Sequence, residues 1–202
     1  MQEVKFWLVC GARGHLNPLI KLSESWSDLD PEFLSQTLLA LTNIAVLPDW
    51  HHQFRPLLPR LLSLWFSASN TIKFQSLRLL INLACNEETI PHLLSAKCKD
   101  DLTLMVSRTA PDDQLLRSVT FLANIYMSST RQGLTDPGQA GRLQGVLYGR
   151  KRAEIVRETG WLMENHKNYD IRLQARKIHI ALEGIQHMNS DKWYNPSECG
   201  HK

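Results

Sequence analysis

Cysteine is scarce in this 202-residue chain, and its four residues, Cys10, Cys85, Cys98 and Cys199, are too widely spread for a CxxC zinc or redox motif. Charge of one sign is equally thin. A formal net charge of +3 gives no footprint for nucleic-acid binding. Long apolar runs are missing too: "VKFWLVC" stops at seven residues with Lys5 inside it, and "LLPRLLSLWF" contains Pro59 and Arg60, whereas a membrane span needs about 20. The N-terminus has an acidic residue and no basic one before position 5, which argues against a signal peptide. The expectation is a soluble, cytoplasmic chain with reduced thiols and no need of metal or cofactor.

A hydrophobic fraction of 43% and a charged fraction of 21% fit an ordinary globular protein, and the length suits one domain with a substantial core. One short stretch points to chemistry. "CGARGHLNPLI", Cys10 to Ile20, has the Gly-His-x-Asn-Pro form that opens some nucleotide-sugar glycosyltransferases, with "VKFWLV" as strand, His15 as base and "NPLIKLSE" as a helix whose N-terminus faces substrate. Such enzymes need two dinucleotide-binding lobes, about 400 residues, and nothing after residue 30 alternates strand with helix. A fragment of such an enzyme, resting on Gly14, His15, Asn17 and Pro18, is the alternative reading.

The stronger signal is a repeat. "LLALTNIAV" from Leu38, "LRLLINLAC" from Leu77 and "VTFLANIYM" from Val119 share apolar residues at their first, third, fourth and seventh places and asparagine at the sixth. Those asparagines, Asn43, Asn82 and Asn124, lie 39 and 42 residues apart, close to the period of armadillo and HEAT repeats. Apolar positions 38, 41 and 45, with their counterparts at 77, 80 and 84 and at 119, 122 and 126, step by three and four and line one side of a helix. Pro48 and Asp49 separate one helix from the next, Pro59 heads "RLLSLWF", and between Asn86 and Pro111 the pattern predicts two short helices. Two shorter helices and one long one per period predict an all-α, armadillo-like helical repeat superhelix.

Asparagine is mildly unfavourable inside a helix, so three in one register need a reason. Their amides either grip an extended peptide along a groove formed by the stacked long helices or bond only to the neighbouring repeat. Asn43, Asn82, Asn124 and Arg78 are the candidate peptide-groove residues. Grooves that read nuclear import signals carry tryptophan four residues before the asparagine, where this chain has Leu39, Arg78 and Thr120, so an importin-like reading is disfavoured. Lys73, Arg78 and Arg117 would make the groove positive and favour an acidic segment.

After Met127, "SSTRQGLTDPGQAGRLQG" reads as a loop near 128–144, long enough to be mobile. A helical pair follows, with Asp170 as a cap, and in its second helix Ala175, Ile178 and Ala181 keep the repeat frame while Ile180 stands where the ladder asparagine would be. Such a pair has the form of a capping repeat. The domain plan is an N-terminal segment 1–18, a helical domain 19–185 and a flexible tail 186–202.

Other residue groups carry less. His51 and His52, adjacent on a helix, point in different directions and read as a solvated helix terminus rather than a metal pair. The basic run Arg150, Lys151, Arg152 and Arg157 reads as a solvated face. Among the tryptophans, Trp65 belongs to the core, Trp26 is a further apolar anchor, and Trp50 is the candidate surface anchor.

The runs "LLALTNIAVLPDWHHQFRPLLPRLLSL", "KFQSLRLLINLACNEETIPHLLSAKCKDDLTLM", "QLLRSVTFLANI" and "QGVLYGRKRAEIVRETGWLMENHKNYDIRLQARKI", taken in order, resemble the armadillo domain shared by the ARMCX proteins, the G-protein-coupled-receptor-associated sorting proteins and the armadillo repeat-containing proteins ten and twelve. The resemblance spans about Leu19 to Ile185. It implies a non-enzymatic protein–protein interaction scaffold that binds an extended or helical partner segment, with no catalytic residue, cofactor or metal. Several such relatives act in mitochondrial distribution or trafficking, held at the mitochondrial outer membrane by an N-terminal anchor. An exposed first-repeat face would also permit self-association.

Overall fold

Residues 30–66, 69–98 and 106–191 are described in the computed structural model, with side chains through Glu183. The Gly-His-x-Asn-Pro stretch, Trp26 and most of the second short helix expected before Pro111 lie outside them. Among the described residues the secondary structure is helical, apart from one antiparallel bridge between Lys97 and Arg142.

Four long helices form the spine: α1 (Pro31–Ile44), α3 (Asn70–Ala84), α5 (Asp112–Arg131) and α7 (Tyr169–Asp191). They stack in sequence order, α1 on α3, α3 on α5 and α5 on α7. The short helices α2 (Leu58–Leu64) and α4 (Ile90–Ser95), and α6 (Arg152–Asn165), which equals α1 in length, connect and back them, with α2 against α3 and α6 against α7. The positions that recur every repeat are those that meet in this stack. Leu38, Leu41, Leu77, Leu80, Val119, Leu122 and Tyr126 have no exposed surface. Each buried leucine removes apolar area from water worth roughly 1.5–3 kcal/mol.

Local chemistry sets the helix starts. Pro31 occupies the first turn of α1, and the Asp30 carboxylate accepts from the amides of Glu32 (2.9 Å) and Phe33 (3.3 Å). Ser69 Oγ caps α3 through the Ile72 amide at 3.4 Å. The cap of α7 is Asn168, whose Oδ1 accepts from the Asp170 amide at 2.9 Å; Asp170, expected to be the cap, lies inside the first turn. There its charge favours the positive end of the helix dipole. Pro48–Leu57 is a 3₁₀ helix rather than an α-helix, with Pro56 inside it lacking the amide proton that a regular ladder needs.

The glycine-rich segment differs from its expectation. Helix α5 runs through Arg131, into the first residues assigned to the loop, because Ser128 and Ser129 are buried and Ser129 Oγ donates to the Ile125 carbonyl at 2.6 Å. Beyond it the chain is strapped to the end of α4. The Cys98 amide donates to the Gly141 carbonyl (3.0 Å), the Leu143 amide to that of Ala96 (3.0 Å) and Arg142 Nη1 to that of Ser95 (2.7 Å). A π-helical turn, Gly145–Arg150, then drops Val146, Leu147 and Tyr148 into the core. Helix α7 continues to Asp191, past the start expected of the tail.

Candidate functional site

The three asparagines fall on successive long helices, as their register requires. Asn43 is exposed on the last turn of α1, while Asn82 and Asn124 are half-buried. Asn82 Nδ2 donates to the Thr42 carbonyl of α1 at 3.1 Å, and Asn124 Nδ2 donates to Cys85 Sγ, just past the end of α3, at 3.4 Å. Each amide thus reaches back one repeat, and one of its donors fastens consecutive long helices together.

Two clefts open along this line. The first, of about 560 Å³, lies between the ends of α1 and α3, where Ala45, Val46, His51, Asn82, Cys85 and Glu88 are among its lining residues. The second, of about 290 Å³, lies one repeat on and is lined by Cys85, Asn124, Met127, Arg131 and Lys177 among others. Cys85 and Glu87 border both, so the two clefts adjoin. In the second an ion pair joins two lining residues, Arg131 Nη2 to Glu87 Oε1 at 2.6 Å, and Gln132 Nε2 donates to the Glu87 carbonyl at 3.0 Å. Arg78 stands exposed a turn before Asn82, its Nη1 donating to Gln75 Oε1 at 3.3 Å. Of the cations expected to make the groove positive, Arg117 is paired with Asp113 on its own helix and lies over the Phe74 ring, 5.4 Å from its centroid.

His51 is not at a solvated terminus. It is only 3% exposed, because the 3₁₀ turn folds its ring under the end of α1, where Nε2 donates to the Ala45 carbonyl at 2.8 Å. His52 does face solvent, its Nδ1 donating to the Asp49 carbonyl at 2.9 Å. Trp50, the candidate anchor, is half-buried against the core, and Trp65 is buried within it. Adjacency alone could not tell His51 from His52, since it predicts that two side chains diverge but not which one turns inward. Cys85 sits at the helix cap and is exposed.

The basic run is dispersed. Lys151 pairs with Glu154 at 3.0 Å, and Arg157 with Glu158 at 3.1 Å. Arg108 binds the same Glu158 at 2.7 Å and lies over Trp161, 4.6 Å from its ring centroid. Burial pushes the Glu158 carboxyl up, but the hydrogen bonds from Arg108 and Arg157 outweigh it and hold the group below its ordinary value. Among the described residues no cluster of three or more His, Cys, Asp or Glu side chains could hold a metal, and no helix is long and apolar enough to cross a membrane.

Comparison with known proteins agrees with this architecture. A family model described as Armadillo-like matches residues 20–135. An engineered protein from a structural genomics consortium superposes with a TM-score of 0.52 at 19% identity, covering 86% of this chain and 80% of that one. A designed armadillo repeat protein in complex with peptide (KR)4 superposes with a TM-score of 0.50, also at 19% identity, covering 91% and 85%. At that identity the likeness is one of fold: an all-α solenoid of armadillo type.

Proposed function

Because the chain belongs to the armadillo-like family, we propose that it is a non-enzymatic interaction scaffold whose groove receives an extended or helical segment of a protein partner. The observation that carries this reading is the pair of adjoining clefts along Asn82, Cys85 and Asn124 on a stack of long helices; Asn43 and Arg78 are exposed on the same helices and line neither cleft. The designed armadillo protein of similar fold holds a peptide, which supports a polypeptide ligand. The ordered segments that resemble the ARMCX proteins, the receptor-associated sorting proteins and armadillo repeat-containing proteins ten and twelve favour a role in mitochondrial distribution or trafficking. In this proposal the 202-residue chain acts in the cytoplasm, and a longer form with an anchor acts at the mitochondrial outer membrane. Trp50 is a secondary contact, and self-association uses the α1 face, where Phe33 is half-exposed.

Proximity labelling in cells tests the proposal, comparing the 202-residue chain with a variant carrying Asn43, Asn82 and Asn124 changed to alanine and verified as folded by thermal melt. The expected result is enrichment of mitochondrial outer-membrane or trafficking proteins that the folded variant loses. Identical labelling by both would remove the groove from the account.

A further inference from the structure

Away from the groove, a third cleft of about 550 Å³ opens between α2 and the segment strapped to the end of α4. Pro59 and Ser63 of α2 line it together with Lys97, Cys98 and residues 139–142. It shares no lining residue with the clefts along Asn82 and Asn124. Its charge differs from theirs as well. Among its described lining residues are two cations, Lys97 and Arg142, and no carboxylate, whereas Glu87 borders both clefts of the groove.

The backbone holds these two cations together. Lys97 and Arg142 are the paired residues of the antiparallel bridge, and residues paired in this way project to the same face with their Cβ atoms about 5 Å apart. Like charges directly opposite one another are destabilising. Even so, neither is paired with a carboxylate among the described residues, while Arg108, Arg131 and Lys151 each are. Arg142 is half-buried and its Nη1 is anchored on the Ser95 carbonyl at 2.7 Å, so the guanidinium is already ordered before any ligand arrives. Its other N–H groups have no acceptor within the described chain. Gly141, at φ 75°, completes the turn in which the Arg142 amide donates to the Gln139 carbonyl at 3.3 Å, and the amides of Gln139, Ala140 and Gly141 donate to no described group. An ordered pair of cations without a counter-ion, beside unused donors, is a site suited to an anion.

We propose that this cleft binds the phosphoryl group of a phosphorylated serine or threonine in a protein partner, with Lys97 and Arg142 as its cationic contacts. Such a group has three acceptor oxygens and a charge of about −1.5 to −2 at neutral pH, which suits adjacent cations and the forked donors of a guanidinium. A polypeptide is the source because Pro59, Lys97, Gln139 and Ala140 are exposed, so the cleft does not enclose a ligand as small-molecule pockets do. This rests on the scaffold reading in taking a protein as the partner, and it adds a contact outside the groove that phosphorylation of that partner switches on.

The test is a titration of the full 202-residue chain with a Gly-Ala peptide carrying one phosphoserine, followed by NMR, beside its unphosphorylated twin and inorganic phosphate. The phosphopeptide is expected to shift the amides of Lys97, Cys98 and residues 139–142 saturably, and the twin to leave them unmoved. Lys97→Glu, on an exposed side chain, should weaken binding about tenfold or more. Lys167→Glu makes the same change of net charge on the exposed turn between α6 and α7 and should have no effect. Equal binding of the two peptides, or equal weakening by the two variants, would overturn the proposal. So would inorganic phosphate shifting the same amides at equal concentration, which would make the cleft a bare anion site with no preference for a protein. Shifts confined to Arg78, Asn124 or Lys177 would move the phosphoryl group to the groove, refuting this assignment while leaving the groove reading intact. No shift anywhere would refute it too, with the groove reading then decided by the labelling experiment alone.

Discussion

At the scale of single residues, the asparagine ladder separates into a joint and a free contact. Removing the Asn82 amide leaves the Thr42 carbonyl without that donor, so Asn82→Ala should cost about 1 kcal/mol and lower Tm by roughly 2–4 °C. Asn43→Ala, on an exposed side chain, should stay within about 0.5 kcal/mol of wild type. Thermal melts of the two variants check both. The register of the ladder was legible because each asparagine recurs at one place in an apolar frame; its hydrogen bonds were not, since they run to a backbone carbonyl and a sulfur one repeat away. A second residue-scale prediction concerns the tyrosines. Burial pushes Tyr126 well above its ordinary value, helped by its neighbour Tyr148, while burial raises Tyr148 to about 12 against the opposing Ser129 hydrogen bond and Arg152 charge. Both phenols are therefore protonated in the folded chain at a pH where the unfolded chain has begun to lose their protons. That contribution to stability is complete below pH 10 and is lost as pH rises toward about 12. Urea melts across this range should show stability falling with pH, with a shallower fall in a Tyr126→Phe, Tyr148→Phe double variant.

At the scale of elements, the strap between α5 and α6 is the part that pattern reading described least well. Composition marks 128–144 as a loop, and of that span 132–142 is irregular while both ends are helical, since glycine and proline weaken a helix without fixing where it stops. It does not report that the segment's backbone bonds to residues 96 and 98, since main-chain pairing leaves no trace in side-chain identity. Two glycines distinguish what the strap requires. Gly141 has φ 75° with open space where a Cβ would stand, so Gly141→Ala should cost only the left-handed backbone penalty, about 1–2 kcal/mol. At Gly145 a Cβ would sit 2.4 Å from the Gln139 carbonyl oxygen, and backbone would have to move. Gly145→Ala should therefore be the worse of the two, at about 3 kcal/mol, with faster amide exchange at Leu143 and Cys98 as the strap loosens. Equal melting temperatures for the two variants would contradict this account. The long helices were far easier to read, because their apolar positions repeat at helical spacing and each repeat confirms the one before.

At the scale of the whole molecule, each long helix is held chiefly by its neighbours in the stack, so stability should be distributed as in a one-dimensional array. Among the described residues α1 packs on α3 as its long-helix partner, while α5 lies between α3 and α7 and buries Phe121, Leu122 and Tyr126 completely. Leu41→Ala and Leu122→Ala delete the same side chain from sites with no exposed surface, and each should cost about 2–5 kcal/mol by cavity formation. Their consequences should nevertheless differ. Losing Leu41 weakens α1, whose long-helix partner among the described residues is α3, so native-state hydrogen exchange should rise in α1 and leave α5 and α7 protected. Losing Leu122 weakens the middle of the array, so exchange should rise in α3, α5 and α7 together. A profile that rose uniformly in both variants would mean that the described chain unfolds as one cooperative unit. The distinction bears on binding, because the cleft between α1 and α3 involves the long helix with fewer long-helix partners among the described residues. A partner segment that fills that cleft should raise protection in α1 more than in α5, and exchange measured with and without the bound partner reads that difference directly.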